Sequence, residues 1–371
     1  MNIDGQFYRT VWIDESDPSC IRAIDQSRLP HFFEILSLRR VEDFTAAIKN
    51  MNVRGAGCIG ATAAYGMYAA ALQAGSEDPY SCIEEAAQEL MATRPTASNL
   101  AWAVRRMKKI LLSHSTRVDM QKAARREAEA IADEDAAHCR EIGILGADLI
   151  GKMYTHRKNK SFNILTHCNA GWLAFVDYGS ATAPIYEACR RGLDIHVWVD
   201  MTGPRNQGSR LTAWELSQEG VPHTIIPDNT GGHLMQHGMV DMVITGADRV
   251  TRRGDAANKI GTYLKAVAAR DNGIPLYVAL PSSTFDFSMY DGIREIPIEM
   301  RDSREVTHVS GITSEGDMTS VRVAPAHSPA ANWGFDVTPA HLITGLISER
   351  GICRADESEI LSLFPEHDHA G

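Results

Sequence analysis

No stretch of this chain reaches the roughly 18–20 apolar residues that a membrane-crossing helix requires, so no transmembrane segment is read. The N-terminus also lacks a charged region leading into an apolar one. Asp4, Arg9, Asp14 and Glu15 alternate with single apolar residues, and a secretion signal is not expected. Cys-x-x-Cys pairs are missing. The seven cysteines, at 20, 58, 82, 139, 168, 189 and 353, are scattered and odd in number, which speaks against a zinc ribbon or a disulfide framework. These absences make the cytoplasm the expected location. Positive charge is short as well. A net charge of -10 argues against a dedicated nucleic-acid binder, which needs a basic face to neutralise phosphates.

What is present describes an ordinary globular protein, 44% hydrophobic and 23% charged. With 371 residues it exceeds the ~250–300 at which single cores stop growing, so two domains are expected. Residues 1–40 alternate apolar and polar positions, as in Phe7 to Ile13 and His31 to Leu36, and predict two or three strands. From Val41 the period becomes helical, with Val41, Phe44 and Ile48 on one face and helices predicted over 59–74, 81–92, 98–113 and 117–150. The polar run His156 to Lys160 puts a boundary at 150–160, giving domains 1–155 and 156–371. Beyond it, apolar runs at 162–168, 194–200, 223–227, 240–247 and 275–281 alternate with helical patterns at 180–191, 208–219, 232–238 and 258–272. The fold class is therefore α/β: a small N-terminal sheet with a helical domain, followed by a Rossmann-like, mainly parallel, doubly wound sheet. The segment Glu366 to Gly371 reads as a frayed end.

No Gly-x-Gly-x-x-Gly turn follows the first strand of the second domain, so no dinucleotide cofactor is expected. Ligands of open parallel sheets bind outside the carboxyl ends of the strands. Three such ends carry reactive groups here: His167-Cys168-Asn169, Asp200, and Asp248-Arg249. A thiol and a carboxyl group from different strands suit proton transfer. The plainer alternatives are a packed cysteine at 168 and a capping or ion-pairing carboxylate at 248. His167 has no second His or Cys at ligand spacing, and no metal is expected. Four helix starts carry anion-binding character: Arg54-Gly55-Ala56, Arg94 to Ala97, Gln207 to Arg210, and Asn258-Lys259-Ile260-Gly261. Together they predict a phosphate held between the domains.

At these positions the chain resembles the methylthioribose-1-phosphate isomerase family, part of a group that includes ribose-1,5-bisphosphate isomerases and the regulatory subunits of the eukaryotic initiation-factor guanine-nucleotide exchange factor. The likeness runs through Ile24 to Pro30, Val53 to Ala56, Arg94 to Ala97, Thr166 to Gly171, Gln207 to Leu216, Gly246 to Arg249, Asn258 to Tyr263 and Phe335 to Pro339. It implies a homodimer that converts an aldose 1-phosphate to a ketose 1-phosphate without metal or nucleotide. It also implies Cys168 and Asp248 at the reacting positions, with substrate contacts from Arg54, Gly55, Ala56, Arg94, Gln207, Asn258 and Lys259. A sugar phosphorylated at its anomeric oxygen needs an acid to open its ring before a proton leaves carbon 2. Either member of the pair suits either role, and hydride transfer between carbons 1 and 2 is equally compatible with the residues. Two segments depart from the family pattern. Asp200 to Arg205 reads Asp-Met-Thr-Gly-Pro-Arg in place of Asp-Glu-Thr-Arg-Pro-Arg, and Gly57-Cys58 replaces Pro-Ala, both in loops expected to line or flank the pocket. They leave the 5-substituent open among methylthio, 5-deoxy and 5-phosphate. Retention of both reacting residues favours an enzyme over a regulatory subunit or a sugar-phosphate sensor.

Overall fold

The structure, a computed structural model, describes residues 1–75, 78–94, 98–155 and 161–368. Strands Val11–Ile13, Ile21–Ile24 and Ile35–Leu38 form the small antiparallel sheet. Five helices follow: Val41–Lys49, Ala56–Gln73, Pro79–Met91, Ser98–Leu111 and Arg117–Tyr154. Helix Ala56–Gln73 is apolar all round, and every residue from Ala56 to Ala71 is buried, as befits the central member of a bundle. Small side chains let its neighbours approach. A β-carbon on Gly60 would stand 3.2 Å from the Asn99 carbonyl oxygen, and one on Gly66 would stand 3.1 Å from Leu90.

The second half is built on a seven-stranded sheet. Its spatial order is Gly351–Cys353, Gly345–Ser348, Leu276–Ala279, Met242–Thr245, Phe162–His167, Ile195–Asp200 and His223–Ile226. All neighbours pair in parallel except the first two. Alternate strand residues feed two cores. Ile164, Val197, Val199 and Ile244 face a layer containing Ile185, Leu216 and the far end of the long helix at Ile142, Ala147 and Ile150. Leu165, Val243, Leu276 and Val278 face the opposite layer, with Leu234, Met235, Ala266, Ala269 and Ile360. This is the doubly wound order. Its switch point lies between Phe162–His167 and Met242–Thr245, where successive connections leave in opposite directions.

Three local readings are corrected by the structure. Asn258 and Lys259 do not open a helix. They end the strand Ala256–Lys259, and the helix Thr262–Asp271 begins after Gly261, whose φ of 103° turns the chain. That strand belongs to a second sheet, ordered Phe285–Asp286, Arg249–Thr251, Ala256–Lys259 and Phe335–Thr338, which projects from the end of the Met242–Thr245 strand. Gly57 and Cys58 occupy the buried first turn of a helix, not a loop. Glu366 to Asp368 are not frayed: His367 stacks on Phe287 at 3.9 Å between centroids, and its carbonyl accepts from Arg252 at 2.8 Å. Residues 95–97, the 156–160 boundary run and the tail at 369–371 lie outside the described residues.

Candidate active site

Cys168 and Asp248 follow the two strands that flank the switch point. Cys168 is buried, with φ at 67°, in the left-handed region that side-chain-bearing residues seldom enter. Asp248 hangs from the start of the second sheet, its N–H donating to the Ala257 carbonyl at 2.8 Å. Burial pushes its carboxyl pKa up, while Lys259, Arg94 and Arg54 pull it back and Glu299 adds to the rise.

The cations are held by specific contacts. Lys259 Nζ donates to the Gly334 carbonyl at 2.8 Å and lies 4.6 Å from the Phe335 ring centroid. Burial lowers its pKa, and the neighbouring Cys168 and Asp248 favour its charged form. The Arg94 guanidinium lies 6.0 Å from the same ring, and its Nε contacts Glu299 at 3.2 Å. Arg94 Nη1, though buried, has no hydrogen-bond partner among the described residues, and neither has the buried Gln207 Oε1. A buried polar atom left unpaired is costly, and a ligand bearing donors and acceptors would relieve both.

Arg54 is locked in place. Its guanidinium donates to the Asn169 side-chain oxygen at 2.5 Å and to the Asn169 carbonyl at 2.9 Å. Asn169 is fixed in turn by Glu215, a fully buried carboxylate that also accepts from Trp172 N, Leu173 N and Tyr186 Oη. Burial pushes Glu215 up to about 7 against these four donors, which favour the anion. Gly171 leaves room for it, since a β-carbon there would stand 1.8 Å from Glu215 Oε2. Gly55, at φ 92°, sits against Ala174 where a β-carbon would come within 2.3 Å, and Ala56 starts the helix behind it. Gln207 shares a small pocket with Gln26, Arg54, Arg205 and Arg210. Asn258 neighbours Lys259, but its amide already donates to Thr262 Oγ1 at 3.0 Å. Cys168, Asp248, Lys259, Arg94 and Arg54 thus form one electrostatic cluster, and Asn258 is less free than its neighbours.

The departing segments have structural explanations. A β-carbon on Gly57 would stand 2.1 Å from Asp135 Oδ1 and 2.5 Å from Phe175, so Gly57 and Asp135 form a matched pair behind the Arg54 turn. At 203 the backbone N–H groups of Thr202 and Gly203 donate to Asp228, and Met201 is 37% exposed at the crevice rim. Asp135 is buried with one donor, the Val176 N–H at 2.7 Å. Burial raises its pKa to about 7, and nearby Asp177 adds to the rise. A carboxyl group raised in the folded state stabilises below its unfolded pKa and loses that contribution as pH climbs to about 7. Relative to Asp135→Asn, the native chain should therefore lose stability between pH 4 and 7, by a few kcal/mol at about 1.4 kcal/mol per unit. Denaturant unfolding of both proteins at pH 4.5 and 8 measures this, and an unchanged difference would contradict it.

Two arrangements were not legible in the sequence, although Arg94, Arg205, His167 and Asp200 were each read there. Arg94, Glu299, Arg301, Glu305 and Arg205 form a continuous ion-pair relay, with links of 3.2, 2.6, 2.8 and 2.9 Å, whose local charge pattern resembles a solvated surface. His167, Asp200 and Asp228 bring ligand atoms within 4.8 Å of one another, with the carboxylates that a search for His and Cys spacing overlooks. A cation already stands there: Lys265 Nζ is 3.0 Å from Asp200 Oδ2 and donates to the Asp228 carbonyl at 2.5 Å. The Asp228 carboxylate is engaged by two N–H groups. The donor set therefore suits an ammonium group better than a metal ion.

Fold and site together define an α/β protein whose switch-point crevice gathers three buried cations around a thiol and a carboxyl group. The chain belongs to the initiation factor 2 subunit family, whose family model matches residues 52–355. It is 54% identical over 367 residues to the methylthioribose-1-phosphate isomerase of Desulfatibacillum aliphaticivorans, covering 99% of both chains. A solved 5-methylthioribose 1-phosphate isomerase from Pyrococcus horikoshii OT3 aligns at 37% identity and a TM-score of 0.82 over 97% of each chain. The delta subunit of translation initiation factor eIF-2B from A. fulgidus aligns at 35% identity and a TM-score of 0.78, over 97% of this chain and 100% of that one.

Proposed function

We propose that this chain is an aldose–ketose isomerase that converts 5-methylthioribose 1-phosphate to 5-methylthioribulose 1-phosphate in methionine salvage. The observation that carries the reading is a thiol and a carboxyl group at the switch point, ringed by Arg54, Arg94 and Lys259. The names borne by full-length relatives at 54% identity point to the same substrate. Cys168 and Asp248 are the reacting residues. Arg54, Gly55, Ala56, Arg94, Gln207, Asn258 and Lys259 hold the sugar phosphate, the cations taking the phosphate charge.

Asp248, its pKa raised by burial, retains a proton to give to the ring oxygen as the ring opens. Cys168, the thiol beside the Lys259 ammonium, accepts the proton from carbon 2. Cys168 returns that proton to carbon 1 of the resulting enol while the Asp248 carboxylate takes the 2-hydroxyl proton, giving the ketose and restoring both groups. No resident cofactor enters this scheme. The division into domains 1–155 and 156–371 is part of the same proposal, with the crevice between them, as are the cytoplasmic location and the homodimer.

Purified protein incubated without added metal with methylthioribose 1-phosphate, 5-deoxyribose 1-phosphate or ribose 1,5-bisphosphate tests the activity by carbon NMR. Ketose formation with the methylthio sugar at the highest kcat/KM is expected, from a preparation sedimenting as a dimer. Preference for another sugar would assign the Met201 and Gly203 changes to specificity. Tight binding without turnover of any would replace the enzyme with a regulatory subunit.

A further inference from the structure

The conformation of Cys168 is imposed by residues distant in sequence. Its N–H donates to Thr202 Oγ1 at 2.9 Å, and its carbonyl accepts from Thr212 Oγ1 at 2.7 Å. Both threonines are fully buried. Each is itself anchored. Thr202 Oγ1 donates to the Asp200 carbonyl at 3.0 Å, and the Thr202 N–H donates to Asp228 at 2.5 Å. Thr212 Oγ1 accepts from the Asn169 amide at 3.2 Å. Behind Thr202, Asp200 Oδ2 meets His167 Nδ1 at 2.9 Å and Lys265 Nζ at 3.0 Å, while His167 Nε2 faces the Ile260 carbonyl at 2.9 Å, one residue beyond Lys259.

A residue persists at positive φ only where its surroundings over-determine it, and such residues gather at functional sites. A packing cysteine needs no such device. Here the strain falls on the one cysteine that neighbours both Lys259 and the switch point. We propose that Thr202 and Thr212 are positioning residues, a two-hydroxyl clamp that holds the Cys168 backbone at positive φ and so aims its thiol into the cation cluster. Without a hydroxyl the backbone relaxes toward negative φ, a rotation that carries the β-carbon and sulfur to a new direction. The catalytic part of this proposal rests on the isomerase reading; the aim of the thiol does not.

Thr202→Val keeps the side-chain shape and removes the hydroxyl, whereas Thr202→Ser keeps the hydroxyl. The valine variant is expected to lose kcat by about 10²-fold, as when a reacting group is misplaced by roughly 1 Å, with KM near the native value; the serine variant should restore kcat. Independently, the rate of Cys168 alkylation by iodoacetamide, followed by peptide mass spectrometry, should differ from native in the valine variant and match native in the serine variant. Native kcat and native labelling in Thr202→Val would overturn the clamp. If the native protein turns over no pentose phosphate, the isomerase reading fails while the labelling contrast still decides the clamp. Should Thr202→Val not fold, Thr212→Val and Thr212→Ser put the same question to the other half.

Discussion

Cys168→Ser is expected to remove turnover, lowering kcat by about 10²–10⁴-fold, the usual contribution of a positioned acid or base. A serine hydroxyl is a far weaker acid than a thiol, so it does not furnish the anion that would take the proton from carbon 2. The fold should survive. Serine is nearly isosteric, and both backbone polar groups of residue 168 are held by Thr202 and Thr212 whatever side chain it carries. Steady-state kinetics with a thermal melt separates the two effects, and a kcat within tenfold of native would dismiss the thiol from the chemistry.

Asp248→Asn should be comparably damaging, and its native pH profile carries a sharper expectation. An acid works while protonated, so activity should fall as pH rises through the Asp248 pKa. In the free protein burial raises that pKa, and Lys259, Arg94 and Arg54 hold the rise in check. A bound phosphate dianion offsets those three charges, so the pKa should climb further in the complex. The alkaline limb of kcat, which reports the complex, should therefore lie at higher pH than that of kcat/KM, which reports the free protein. In Asp248→Asn the limb should vanish along with most of the rate. Coincident limbs, or a kcat limb at lower pH, would remove Asp248 from the role of proton donor.

The parallel sheet was legible because its strands are buried on both faces and read as short β-branched runs between helical patterns. Once those strands were placed, the rule for open sheets led to three strand ends, at Cys168, Asp200 and Asp248, and the likeness to the isomerase family singled out the first and last as the reacting pair. The second sheet was not legible. Ala256-Ala257-Asn258-Lys259 has little strand character of its own, and it is a strand because Phe335–Thr338 pairs with it from far along the chain. Reading it as a helix start misplaced the element that carries Lys259: its ammonium is delivered by a strand and seated on Phe335. Glu215, Thr202 and Thr212 were equally silent, since each acts through contacts with residues dozens of positions away.

The relay from Arg94 through Glu299, Arg301 and Glu305 to Arg205 also bears on how this crevice can be altered. Its charges alternate in sign, and Arg301 and both glutamates are largely shielded from solvent. Reversing one member would set like charges side by side in a half-buried environment, which screens them poorly. Substitution at any of these positions therefore has to proceed in compensating pairs, because the five side chains share one alternating pattern of charge.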